Sequence, residues 1–302
     1  MERRENACHY KMIMTIEDNK LSIIGEGRTS PSHYRDERID SIKFCLIILV
    51  VVVHILEMWH IFPELYLFIN TLVMPVFVFI SGFFSKPKKL SSFVDSNKKI
   101  IWVFILTHLF VCLTGDKITY YCYGYGGNPW ITPWFALWYI FALLLWRLSL
   151  VIVKPQLKIL HLLFVFSLAI IIGFLPLECE FSFIRAVSFY PFFYVGVALH
   201  GKDLKTMINK IPVSVSILIL IATAIFCCLI PITPITPYMP STHYASILHC
   251  ATRSFWMFAA FPIGAAFLKI CPSNHIFALL GKHTLSLYIA HMFILNFILY
   301  YL

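Results

Sequence analysis

His54 and Lys43 are the only basic residues in the apolar run Ile42-Lys-Phe-Cys-Leu-Ile-Ile-Leu-Val-Val-Val-Val-His54. They stand eleven positions apart, and in a helix eleven residues turn through ~1100°, about three full revolutions, so both side chains share one face ~16 Å apart. Asp40 lies three residues before Lys43 and Glu57 three residues after His54, offsets that keep neighbours on one side of a helix. The four residues offer two kinds of chemistry. A histidine kept neutral by burial is a base that can take a proton from a hydroxyl. Glu57 beside it could fix the tautomer and stabilise the imidazolium that forms, as the acid does in a Ser-His-Asp triad. Lys43 is a fixed cation of the kind that attracts phosphate. A plainer reading stands beside each: His54 and Glu57 could simply bond to each other and to neighbouring helices, Glu57 could lie at the outer interface, and a lysine at a helix end can snorkel to the membrane edge.

The elements that must hold these residues are set by composition. Of 302 residues 60% are hydrophobic and only 13% charged, with 28 phenylalanines and a mean hydropathy of +0.81, which excludes an ordinary soluble domain. The chain is expected to be an all-α polytopic membrane protein with the lipid bilayer as its solvent. A net charge of +9 suggests nucleic acid at first sight, but the basic residues lie in short segments between apolar runs, where membrane topology explains them; no nucleic-acid partner is expected. Residues 1–34 are polar and mixed in charge, with no apolar core near the start, so a disordered cytoplasmic tail precedes a membrane domain over 35–302 and no cleavable signal peptide is expected. Met12 and Met14 are alternative starts. The nine cysteines form no Cys-x-x-Cys pair, so neither a metal site nor a disulfide framework is indicated; a bridge between Cys122 and Cys179 is a minor alternative.

At ~20 apolar residues per crossing, spans fall near 42–62, 66–85, 99–115, 133–152, 157–176, 182–199, 212–231, 247–268 and 283–302, nine in all. A tenth could hide in 231–250 or 270–283. The connections alternate in charge as the positive-inside rule requires. Lys86, Lys88, Lys89, Lys98 and Lys99, then Lys154 and Lys158, Lys202, Lys205 and Lys210, and finally Lys269 and Lys282 fall on the side of Arg35, Arg38 and Lys43. That side is the cytoplasm, and the N-terminus belongs to it. Pro63-Glu64, the Tyr/Gly-rich 118–127, Glu178 with Glu180, and the Pro-rich 231–240 fall on the other. Gly124-Tyr-Gly-Gly127 sits in an external loop and opens no helix, so it is not a phosphate loop.

Several segments carry a family likeness. Arg38-Ile-Asp40-Ser-Ile-Lys43 followed by Val50-Val-Val-Val-His54, then Met74-Pro-Val-Phe-Val-Phe-Ile-Ser-Gly82-Phe-Phe, Trp134-Phe-Ala-Leu-Trp-Tyr139, Arg185 before Phe189-Tyr-Pro-Phe-Phe-Tyr-Val-Gly196, and Gly281-Lys-His-Thr-Leu-Ser-Leu-Tyr-Ile-Ala-His291 resemble, in order, the motifs of the acyltransferase-3 family of integral membrane O-acyltransferases, in its fucose 4-O-acetylase-like branch. The resemblance runs from about residue 35 to the end. It departs at two points: the family implies ten helices, and Lys98-Lys99 replaces an arginine-rich entry to the third.

The resemblance implies an O-acetyltransferase of a bacterial inner membrane. Acetyl-CoA is its donor substrate rather than a permanently bound cofactor, and the acceptor is a hydroxyl of a surface carbohydrate or its lipid-linked precursor. His54 and Glu57 then carry the chemistry, with His54 as base or transient acyl carrier. Lys43, Arg185 and the Lys86-to-Lys99 cluster, Lys98 and Lys99 included, could cradle the donor's phosphates. Trp138, Ser81 and His291, with Tyr288 one turn before it, are candidates for lining the substrate cavity. Against these stand an aromatic belt for Trp130, Trp134 and Trp138, and close helix packing for Ser81-Gly82. A proton-coupled transporter of a sugar or anion would use the same ionisable residues, although such proteins often show internal repeats and none is visible here. A non-catalytic partner in polysaccharide export is a third possibility, against which the intramembrane ionisable pair argues.

Overall fold

A computed structural model of the chain describes residues 36–114, 130–133, 136–175, 182–229, 244 and 246–301. The expectations for the tail over 1–34, for Trp134, for Cys122 with Cys179, for Gly124 to Gly127 and for the Pro-rich 231–240 lie outside the described residues. From Glu37 onward the chain forms one compact unit. Its long helices are α1 (Glu37–Trp59), α2 (Pro63–Phe83), α3 (Phe93–Thr114), α4 (Leu137–Ser149), α5 (Ile159–Ile171), α6 (Phe183–Ala198), α8 (Val213–Leu229), α9 (Ile247–Ile270) and α11 (Thr284–Tyr301); α7 (Leu204–Asn209) and α10 (His275–Gly281) are short. Among the described residues there are no strands. The protein is an all-α polytopic membrane protein, as composition and periodicity lead one to expect.

Each of the nine expected spans has its helix, but their lengths differ from expectation. Among the described residues three helical stretches are long and apolar enough to cross a bilayer as single rods, Glu37–Trp59, Pro63–Phe83 and Leu90–Thr114. The segments expected over 133–152 and 157–176 contain helices of 13 residues each, about 20 Å long. The cause is local at α4, where Ser149 turns its hydroxyl back onto the Trp146 carbonyl at 2.7 Å and Pro155 follows. In 270–283, where a tenth span could hide, the chain forms the seven-residue α10, bent by 76° against α11 as a broken span or re-entrant loop.

Glycine sets how closely the helices approach. A Cβ on Gly82 of α2 would collide with the Phe193 carbonyl oxygen of α6, and one on Gly196 of α6 would collide with that of Phe79. Ser81-Gly82 therefore does serve close packing, with backbone touching backbone. Gly281 does the same for α10, which lies against the Asp40 carbonyl of α1. His200 donates from Nδ1 to the Phe83 carbonyl at 2.6 Å and satisfies one of the orphan acceptors that end α2. Around these contacts packs a core in which Ile42, Leu46, Val73, Val78, Leu137, Ile140, Phe193, Trp256 and Met292 are all but inaccessible. By contrast α3 turns Trp102, Leu106, Phe110 and Leu113 outward, an apolar face suited to lipid.

Candidate functional site

The first turns of α1 are fastened to the last third of the chain. Arg38 donates to the Asn209 side chain and to the Leu268 carbonyl, each at 3.2 Å, and Ser41 donates to the Asn274 carbonyl at 3.1 Å. Lys43 then takes Asp40 as its ion-pair partner at 3.3 Å and lies 5.1 Å over the Phe84 ring just past the end of α2. Asp40 is buried while Lys43 is only half-buried. The pair thus presents a cation to the surface while its acid stays in the helix contact.

About three turns further along α1, His54 places Nδ1 3.5 Å from Glu57 Oε2. That is longer than a settled hydrogen bond. On its other side the His54 ring stacks on His291 of α11, centroids 5.6 Å apart and planes 17° from parallel. His291 is buried, His54 partly so. The turn that closes α1 sits just beyond: the His60 N–H reaches the Glu57 carbonyl, and His60 and Phe62 take left-handed φ of 50° and 48°, which costs non-glycine residues roughly 1–2 kcal/mol each. Pro63 opens α2 at once. This turn places Glu57 at the mouth of the bundle instead of deep inside it.

A polar and aromatic column joins the two ends. Tyr288, one turn before His291, meets its ring edge-on at 5.3 Å and donates its hydroxyl to the Ala136 carbonyl at 2.7 Å. The Tyr139 ring lies 5.5 Å from that of Tyr288 and 5.3 Å from Phe77. Its hydroxyl pairs with Ser81 Oγ at 2.5 Å. Ser85, one turn on, donates to the Ser81 carbonyl at 2.7 Å and accepts from Arg147 Nε at 3.4 Å, while Arg147 Nη1 donates to Asn97 Oδ1 at 2.8 Å. Ser81, His291 and His54 therefore belong to one constellation.

Arg185 requires a correction. Its charge suggests a place with Lys43 in one cradle, but it lies at the opposite end of the bundle. Gly82 and Gly196 pack the C-terminal ends of α2 and α6 together, and Phe84 brings the end of α2 to Lys43. Arg185, in the first turn of α6, is accordingly near the start of α2, where its guanidinium lies 5.0 Å over the Trp138 ring. Trp138 itself is buried against Phe189 at 5.5 Å, so it is a packed wall residue with a cation upon it and not a member of an interfacial belt; Trp130 is exposed. Lys98 and Lys99 are exposed on the second turn of α3, and Lys86, Lys88 and Lys89 are exposed in the connection before it. Among the described residues no three of His, Cys, Asp or Glu gather as a metal would need.

Sequence reasoning passes over Tyr139 and Arg147 as polar members of the site. A signal for Arg147 exists: it is the only charge between Leu137 and Val153, the same anomaly that singles out Lys43 and His54. Tyr139 carries no such signal, since a tyrosine in an apolar helix is ordinary.

A family model described as an acyltransferase domain matches residues 36–302. No curated protein and no solved structure matches the chain.

Proposed function

The chain belongs to the acyltransferase-3 family and is a membrane acyltransferase, and from that premise we propose that it transfers an acetyl group from acetyl-CoA to a hydroxyl of a surface carbohydrate or its lipid-linked precursor. The observation that carries the reading is the position of His54, held between Glu57 and His291 at one end of a column whose other end, at Ser85, Arg147 and Asn97, adjoins the lysine-bearing segments. With Nδ1–H directed at Glu57, Nε2 carries the lone pair. It takes the acceptor's hydroxyl proton as that oxygen attacks the thioester carbonyl; the C–S bond then breaks, and the proton on the imidazolium passes to the leaving thiolate, giving free CoA and the ester. General-base help of this kind is worth roughly 10² to 10⁴ in rate. Lys43, Lys98 and Lys99 attract the donor's phosphates, while Trp138, Arg185 and His291 border the acceptor's end, where Trp138 backs the Arg185 guanidinium. The lysine distribution supports a cytoplasmic lysine-bearing end, and the surface-carbohydrate acceptor that the family resemblance implies points to a bacterial inner membrane.

Family membership favours acyl transfer over the proton-coupled transport that the same residues would permit. The test is transfer of labelled acetyl from acetyl-CoA to cell-envelope glycan in membranes holding matched amounts of wild type and His54→Gln. Near wild-type transfer by the variant would sink the role of His54, and no transfer by the wild type from any acyl-CoA would sink the donor. Reporters fused within 86–98 should read as cytoplasmic and those at 116–128 and 232–244 as external; the reverse would invert the donor side.

A further inference from the structure

The lysine-bearing end of the column holds an arginine whose surroundings differ from those of every other cation near it. Arg147 closes the last turn of α4 and is half-buried. Its protein partners are neutral: Asn97 Oδ1 at 2.8 Å and Ser85 Oγ at 3.4 Å. Among the described residues no carboxylate lies within ion-pair distance of it. Lys43, by comparison, has Asp40. A guanidinium carries five N–H donors in a rigid fork, and the two bonds to Asn97 and Ser85 leave the rest of the fork unused. None of its nitrogens is sealed in without a partner, so the unused edge reaches accessible space.

The two partners are themselves fixed. Asn97 is buried and donates its amide to the Phe93 carbonyl at 2.9 Å, which turns its oxygen toward Arg147. Ser85 is buried and spends its own proton on Ser81, so its oxygen can only accept. The guanidinium is thus held through Nε and Nη1 in a set orientation, with no carboxylate among the described residues to compensate its charge. Both holders immediately precede lysines in the chain, Lys86 after Ser85 and Lys98 with Lys99 after Asn97, all exposed. An uncompensated planar fork near five exposed lysines, among which Asp95 is the one exposed acid in the segment 85–99, is suited to a phosphate, which it can grip through two parallel bonds, while the excess of lysines raises the local anion concentration.

We infer that Arg147 is the fixed phosphate anchor of the acyl donor, gripping the phosphates of coenzyme A at the lysine-bearing end so that the thioester extends along Ser81 and Tyr139 to His54. This rests on the reading of an acyl-CoA donor given above. The lysines then gather the donor, and Arg147 sets its position. A donor gripped at a fixed point has its thioester at a fixed height in the column, which a set of mobile exposed lysines could not achieve.

The experiment pairs Arg147 against the donor's own phosphates. Initial rates are measured in membranes with matched protein for wild type, Arg147→Lys and Arg147→Gln, using acetyl-CoA and, separately, S-acetyl-pantetheine, which has the thioester and arm but no phosphate. With acetyl-CoA, Arg147→Gln should raise the donor KM roughly tenfold or more with acceptor KM unchanged, and Arg147→Lys should recover part of the loss, since a lysine keeps the charge but not the fork. With S-acetyl-pantetheine, wild type and Arg147→Gln should be equally poor. An equal proportional loss with both donors would make Arg147 a structural clamp and overturn the inference. Thermal stabilisation of the purified full chain by CoA gives a second readout independent of turnover. CoA should stabilise wild type and not Arg147→Gln. Equal stabilisation of both, or of neither, overturns the inference as well. If the wild type transfers nothing from any acyl-CoA but CoA still stabilises it in an Arg147-dependent way, the proposed reaction fails and the phosphate anchor stands.

Discussion

The two ends of the column are built in opposite ways. At the His54 end the ionisable groups meet through ring faces and one long contact: His54 stacks on His291 at 5.6 Å and stands 3.5 Å from Glu57. At the Arg147 end the charge is held by one short bond, 2.8 Å to Asn97, and a longer one, 3.4 Å to Ser85, both to buried neutral side chains whose own orientation is fixed by backbone carbonyls. A group that must gain and lose a proton cannot be locked by strong bonds to one of its protonation states, because each such bond shifts its pKa. A group that must only present charge gains from being locked. The contrast therefore divides the column into a proton-handling end and an anchoring end, and it can be broken from either side.

The largest effect is expected at the proton-handling end. His54→Gln keeps a hydrogen-bonding side chain of similar size but cannot take a proton at neutral pH, and acetyl transfer should fall by roughly 10² or more. Retained transfer would merge the two ends into one binding surface. Next comes the packing that sets the column's width. Gly82→Ala forces a methyl into the Phe193 carbonyl and should cost about 1–3 kcal/mol, the range for overpacked sites, seen as a lower midpoint of thermal unfolding in detergent; no change would mean that α2 and α6 can part without loss. At the anchoring end, Lys43→Ala should raise the donor KM by up to about tenfold while kcat holds and Lys43→Arg keeps much of the affinity, the pattern of lost uniform binding. A fall in kcat at constant donor KM would move Lys43 into the chemistry. The smallest effect is expected between the ends: Tyr288→Phe removes the bond to the buried Ala136 carbonyl and should cost about 1 kcal/mol of stability, with a change in kcat well below that of His54→Gln. A loss as large as the histidine's would make Tyr288 part of the reaction.

What could be read from the residues alone was whatever depends on neighbours along the chain. Each of nine apolar runs announced a helix found among the described residues, because a backbone in lipid must satisfy its own hydrogen bonds. The offsets among Asp40, Lys43, His54 and Glu57 placed those four on one helix with pairs that do meet, Asp40 with Lys43 and His54 with Glu57, because helix geometry is periodic. The family was also legible, through ordered motifs. Contacts between helices were not. Arg185 and Lys43 carry the same charge, and residue type alone groups them, although the alternation of charge in the connections already puts the start of 182–199 on the side away from Lys43; what that alternation does not say is that Arg185 lies over Trp138. His291 could be suspected as a cavity residue, yet that it stacks on His54, 237 positions away, is a matter of how α11 lies on α1. Arg147 was an isolated charge in an apolar run; only the tertiary structure sets Asn97 and Ser85 against it and leaves its charge unbalanced. The physical reason is that helix formation is decided within a few residues, whereas the choice of which faces meet is decided by glycine contacts and core volumes contributed from across the whole chain.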